Sequence, residues 1–119
     1  MTIGEALQDF FSGFSLPAYP STAVPDDAVM PYLTYTVSVS SFQSSDSLLT
    51  VNLWYRNESE AIPNAKAEEI RKEIEQGGVL PLDRGFIWLK PGSPFWYTSP
   101  DEDNSIKRRI LNIAAEYFC

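Results

Sequence analysis

Apolar residues recur along the first turns at helical spacing, as Ile3, Ala6, Leu7, Phe10, Phe11 and Phe14, with Thr2 and Glu5 placed three apart as a capping box. The spacing predicts an amphipathic helix that Gly13 can stop. Residues 15–31 hold Pro17, Pro20, Pro25 and Pro31 and keep no period, so they read as a long, stiffened connection. From 32 to 42 the alternation is that of a strand: Leu33, Tyr35, Val37 and Val39 point one way, Thr34, Thr36, Ser38 and Ser40 the other. After a polar tip at 43–47 the pattern repeats with Leu49, Val51, Leu53 and Tyr55, which predicts an antiparallel hairpin.

A second helix is expected over 61–76. Pro63 falls in its first turn, where the missing N–H costs little, and Gly77-Gly78 ends it. Its apolar stripe is Ile62, Ala67, Ile70 and Ile74. Residues 86–90 read as a third strand stopped by Pro91-Gly92, residues 95–97 as a short further one, and 100–104 as an acidic turn. The segment 106–118 fits both periods. Its length, the turn before it and the hairpin's lack of a second neighbour favour a strand. The sum is one α+β domain over 1–119, a mostly antiparallel twisted sheet of about four strands with two helices packed on one face.

Composition adds function classes to set aside. The chain has 119 residues, 44% hydrophobic and 13% aromatic, so a core can form and aromatic residues remain for an interface. Its net charge of -7 is the wrong sign for gripping phosphate. The one cysteine is Cys119, so no internal disulfide forms and a cytoplasmic setting is expected. No apolar run reaches the ~20 residues of a membrane span, so no membrane partner is expected.

Histidine is absent, which removes the commonest general base and zinc ligand. Cys119 has no histidine to activate it. Asp26-Asp27 and Asp101-Glu102-Asp103 could offer hard oxygen ligands to Mg²⁺ or Ca²⁺, yet neither has the spacing of a known cation loop. Pro25 followed by two aspartates is instead what a turn asks for. No catalytic residue, metal site or cofactor is expected, and an enzyme is not the favoured class.

The stretch FSGFSLPAYPSTAVPDDAVMPYLTYTV, with Asn52-Leu53-Trp54-Tyr55, the acidic turn at 100–104 and the closing Ile106-Lys107-Arg108-Arg109, resembles the tail-terminator, or tail-completion, proteins of long-tailed bacteriophages and prophages. That resemblance implies a small α+β virion structural protein that assembles as a ring, typically hexameric, on the end of the tail tube. There it would stop tube growth and take part in head–tail joining. The implied partners are further copies of itself, the major tail tube protein and the head–tail connector proteins. DNA would be passing cargo in an acidic lumen. Assembly would take place in the bacterial host cytoplasm, and the protein would reside at the head–tail junction of the virion.

Within this reading the expected contacts are Tyr19, Val24, Asp26 and Asp27 in the proline-rich loop, Gln43, Ser45 and Asp46 at the hairpin tip, the aromatic run Phe95, Trp96 and Tyr97, and the basic pair Arg108 and Arg109. Phe95, Trp96 and Tyr97 follow one another, so at least one must leave the core face of a strand. A close alternative is a head-closure adaptor on the connector side. An alternative of another class is a small metal-dependent enzyme or ligand-binding domain using the acidic loops.

Overall fold

The structure, a computed structural model, describes residues 1–37 and 47–118. Helix α1 spans Ile3–Phe11 and runs into a 3-10 turn at Ser12–Phe14. Then follow β1 (Ala18–Pro20), β2 (Tyr32–Thr36), β3 (Ser47–Arg56), α2 (Ala61–Glu75), β4 (Val79–Pro81), β5 (Phe86–Ser99) and β6 (Ile106–Phe118). They form a six-stranded mixed sheet in the order β1-β2-β3-β6-β5-β4.

The α+β class holds, while the expected count of about four strands is corrected to six. The two additions, β1 and β4, are edge strands of three residues each, too short to show a period. β1 pairs parallel with β2, the only parallel pair in the sheet as described, so the stretch taken as one connection over 15–31 contains a strand. Residues 21–31 then carry the chain back to the start of β2. The pieces expected at 86–90 and 95–97 are one 14-residue strand, β5. Its pairing with β6 jumps between Pro91 and Trp96, a bulge that absorbs the prolines without ending the strand. The amide of Asn112 donates to the Pro94 carbonyl at 3.0 Å and braces it. The ambiguous last segment is strand β6, paired with β3 and β5 on its two sides. The antiparallel pairing of β2 with β3 also holds, whereas the tip expected at 43–47 lies outside the described residues apart from Ser47.

Alternation places the core on one face of the sheet. Leu33, Leu49, Val51, Leu53, Ile87, Leu89, Leu111 and Ile113 are all buried there, each worth roughly 1.5–3 kcal/mol of apolar burial. α1 adds Leu7 and Phe11, whose ring stacks on Tyr35 at 4.9 Å, and its capping box is formed as expected. The Thr2 backbone and hydroxyl bonds hold the Glu5 carboxyl below its usual pKa. α2 contributes Ala67, Ile70 and Ile74 to the same core. Its expected stripe loses Ile62, which is exposed, and gains Pro63, which is buried. Val37, expected to face the core, is exposed just beyond the end of β2.

Gly77 (φ 149°) ends α2 in a conformation that favours glycine, and Gly78 lets β5 approach. A Cβ on Gly78 would lie 2.5 Å from the Leu89 carbonyl oxygen.

Candidate interaction surface

Because the helices cover one face, the other parity of every strand is left uncovered. The sequence does not make that face uniformly polar. On β5 the order Phe86, Ile87, Trp88, Leu89, Lys90 buries Ile87 and Leu89 and leaves Phe86 and Trp88 turned outward. Leu48 of β3, Val79 of β4, Tyr97 of β5 and Phe118 of β6 are also exposed, and the strand pairings set them all on this side. Val79 pairs with Trp88 and Phe86 with Phe118, so these four adjoin, and adjoining exposed apolar residues mark an interaction site.

Two aromatic groups stand on it. Across β1, β2 and β3, Tyr19 meets Tyr32 edge-on at 5.8 Å and Tyr32 stacks with Trp54 at 6.3 Å. Arg108 lies over the Trp54 ring at 4.6 Å and donates from Nε to Asn52 Oδ1 at 2.9 Å. The Trp54 indole N–H donates to Thr34 Oγ1 at 3.1 Å, which satisfies a hydroxyl buried beneath the ring. At the opposite side of the sheet Phe86 stacks on Phe118 at 4.6 Å. Beside them Lys90 stands 4.8 Å over Trp88 and 3.6 Å from the Glu116 carboxylate.

Charge is divided between the layers. The strands carry Arg56, Lys90, Lys107, Arg108 and Arg109 against Glu116 alone, so the helices and connections hold nearly all of the acidity. The turn before β6 is fixed by Asp103, which accepts from the Ser105 hydroxyl at 2.7 Å and backbone at 2.9 Å and from Arg56 at 2.8 Å. These bonds, Ser105 first, pull the Asp103 carboxyl down to about 2.

The sequence-selected residues divide three ways. Tyr19, Tyr97 and Arg108 belong to the uncovered face. Phe95, Trp96 and Arg109 are turned toward the chain's own helix layer. Phe95 is buried, and the Trp96 indole donates to Glu68 of α2 at 2.8 Å. Arg109, 2% exposed, donates from Nε to Asn64 at 2.8 Å and pairs with Glu60 at the start of α2, so it is engaged within its own chain and not at an outer contact. Val24, Asp26 and Asp27 lie in the loop over 21–31, where Ala28 N–H donates to the Pro25 carbonyl at 3.1 Å and closes a turn over the two aspartates. Gln43, Ser45 and Asp46 fall outside the described residues.

Tyr32, Leu48, Phe86, Trp88 and Phe118 are not among the contacts expected from sequence. Their signal was present as apolar residues at both parities of one strand, which a strand with one wet face does not need. Recesses also lie away from this face. An open groove of about 640 Å³ beside α1 is lined by Gln8, Ser12, Pro20, Tyr35 and Val37. A smaller one of about 410 Å³ lies among Glu60, Asp101, Lys107 and Arg109. Among the described residues no three His, Cys, Asp or Glu side chains converge as a metal cluster would require, and no helix is long and apolar enough to cross a membrane. No protein-family model matches the chain, and no curated protein matches it either.

Proposed function

We propose that this chain is a virion structural protein of long-tailed bacteriophages or prophages that caps the tail tube as a ring and takes part in tail completion and head–tail joining. Its work is done by contacts between subunits and with the tube, and the uncovered aromatic face of the sheet is the observation that carries this reading. A face with Leu48, Val79 and Trp88 exposed together loses apolar area to a neighbour at little conformational cost, since strand side chains are already held in place by their cross-strand pairs. The sequence resemblance supplies the identity of the assembly. The net charge of -7 supports a lumen that DNA crosses without sticking.

The test is to mix the purified chain with isolated tail tubes and, separately, with portal–connector complexes, and to image both by electron microscopy. Rings on tube ends and tubes of fixed length are the expected result. Binding to connectors alone moves the protein to the head-closure side. Binding to neither, with tight Mg²⁺ or Ca²⁺ uptake lost in Asp26→Asn, overturns the structural reading in favour of a metal-dependent one.

A further inference from the structure

Val29 is the most exposed of the large apolar residues, at 79%, and it sits on the stiff loop over 21–31 beside β1 and β2. Pro25 and Pro31 bracket it, and the Pro25 to Ala28 turn fixes the approach. Asp26 and Asp27 on that turn are exposed, and neither has an ion-pair partner among the described residues. An exposed apolar tip with uncompensated charge on a preorganised loop is a ready-made knob, because docking it costs little ordering entropy.

At the other end of the sheet order, β4 and β5 present a matching surface. Val79, Phe86 and Trp88 are exposed there with Phe118, next to Lys90. Arg84, in the turn joining β4 to β5, is exposed and has no ion-pair partner among the described residues. One end of the molecule is therefore apolar and acidic, while the other is apolar with Arg84 as its uncompensated charge, Lys90 being paired with Glu116.

We infer that the occupant of the Trp88 face is a second copy of this chain, whose Val29 knob packs on Trp88 while Asp26 and Asp27 approach Arg84 and Lys90. Knob and socket lie at opposite edges of one sheet, so the contact is head to tail, the kind that closes into a ring when the rotation between copies allows. This rests on the ring reading above and names the surfaces that build it. Single-stranded nucleic acid is the less favoured occupant. The chain's net charge of -7 repels phosphate, which a protein docking surface does not need to attract.

Mass photometry and sedimentation on the full chain test this with Val29→Glu and Trp88→Ala, each checked for wild-type circular dichroism. Either variant weakens self-association by roughly 30-fold or more, as loss of a hot-spot residue does. Mixed together they form a dimer and stop, because the mixture offers a single intact knob and socket. Asp26→Lys with Asp27→Lys abolishes assembly, and Arg84→Glu with Lys90→Glu restores it in the same chain. Rings that persist in both single variants overturn this interface and leave the ring reading standing. A wild-type chain that stays monomeric in solution and on tube ends overturns both. Oligonucleotide binding lost in Trp88→Ala, without self-association, assigns the face to nucleic acid instead.

Discussion

Tyr35 donates its hydroxyl hydrogen to Gln8 Oε1 at 2.6 Å, and Gln8 in turn donates from Nε2 to the Ala18 carbonyl at 2.9 Å. One side chain of α1 thereby ties together β1 and β2 at the edge of the sheet. Gln8→Ala leaves the largely buried phenol without this acceptor and destabilises the fold by about 1–3 kcal/mol. Tyr35→Phe costs less, because Gln8 keeps Ala18 and Ser12 as partners. Chemical denaturation of the two single variants and the double variant measures the coupling; additive losses would show the bond to be idle.

Arg109 is held inside the sheet–helix interface by Glu60 and Asn64. Glu60→Ala strands a buried guanidinium. Glu60 is itself mostly exposed, so solvent screening brings the loss below the ~3–5 kcal/mol of a fully buried pair. Arg109→Met, which keeps the volume and removes the charge, is expected to be the milder change. Urea melts of both variants decide the order, and a harsher Arg109→Met would overturn it.

How much of this was legible in the sequence differs by element. α1, α2, β3 and β6 followed from periodicity because each buries a regular series, Leu7 and Phe11 or Leu49, Val51 and Leu53 among them. β1 and β4 are set by pairing with a neighbour and not by their own three residues, so no local pattern could announce them. The bulge in β5 hid a single strand behind Pro91 and Pro94. On the candidate surface, Tyr97 and Arg108 could be read from crowding and charge, but Trp88 and Phe118 could be placed only once the register with β6 was known. Arg109 is buried while Arg108 is not, because adjacent strand residues point to opposite faces and a basic run therefore splits between water and core.

The two glycines Gly78 and Gly4 carry opposite expectations. Gly78→Ala drives a Cβ against the Leu89 carbonyl and destabilises by about 1–3 kcal/mol. Gly4, in α1 with nothing within 4 Å of a new Cβ, gains roughly 0.5–1 kcal/mol on change to alanine. Thermal melts of the pair check the sign of each.

Asp103, with its carboxyl near 2, sets an acid limit for the turn it holds. Its folded pKa lies below the unfolded value of about 3.9, so the stabilisation is complete above that value and fades as pH falls toward 2. NMR titration should place Asp103 near 2, and Ser105→Ala and Arg56→Ala should each raise it. An ordinary carboxylate value in the wild type would refute the turn geometry.

Tyr55 gives the opposite limit. Burial first, then Glu58 and Glu69, pushes its hydroxyl up to about 12. The raised value means that its contribution is full below the unfolded pKa of about 10 and is lost as pH rises through 12. Phenolate absorbance should show Tyr55 ionising together with alkaline unfolding, and Tyr55→Phe should move that unfolding to higher pH.

The place of β6 between β3 and β5 also governs how the chain is made. The first three strands and the β4–β5 pair share no strand contact until β6 arrives between them, and β6 is the last of the elements to be synthesised. A growing chain on the ribosome therefore holds two unfinished sheet fragments with unpaired edges. The sheet stays in two pieces until residues 106–118 have cleared the exit tunnel and can pair with β3 on one side and β5 on the other.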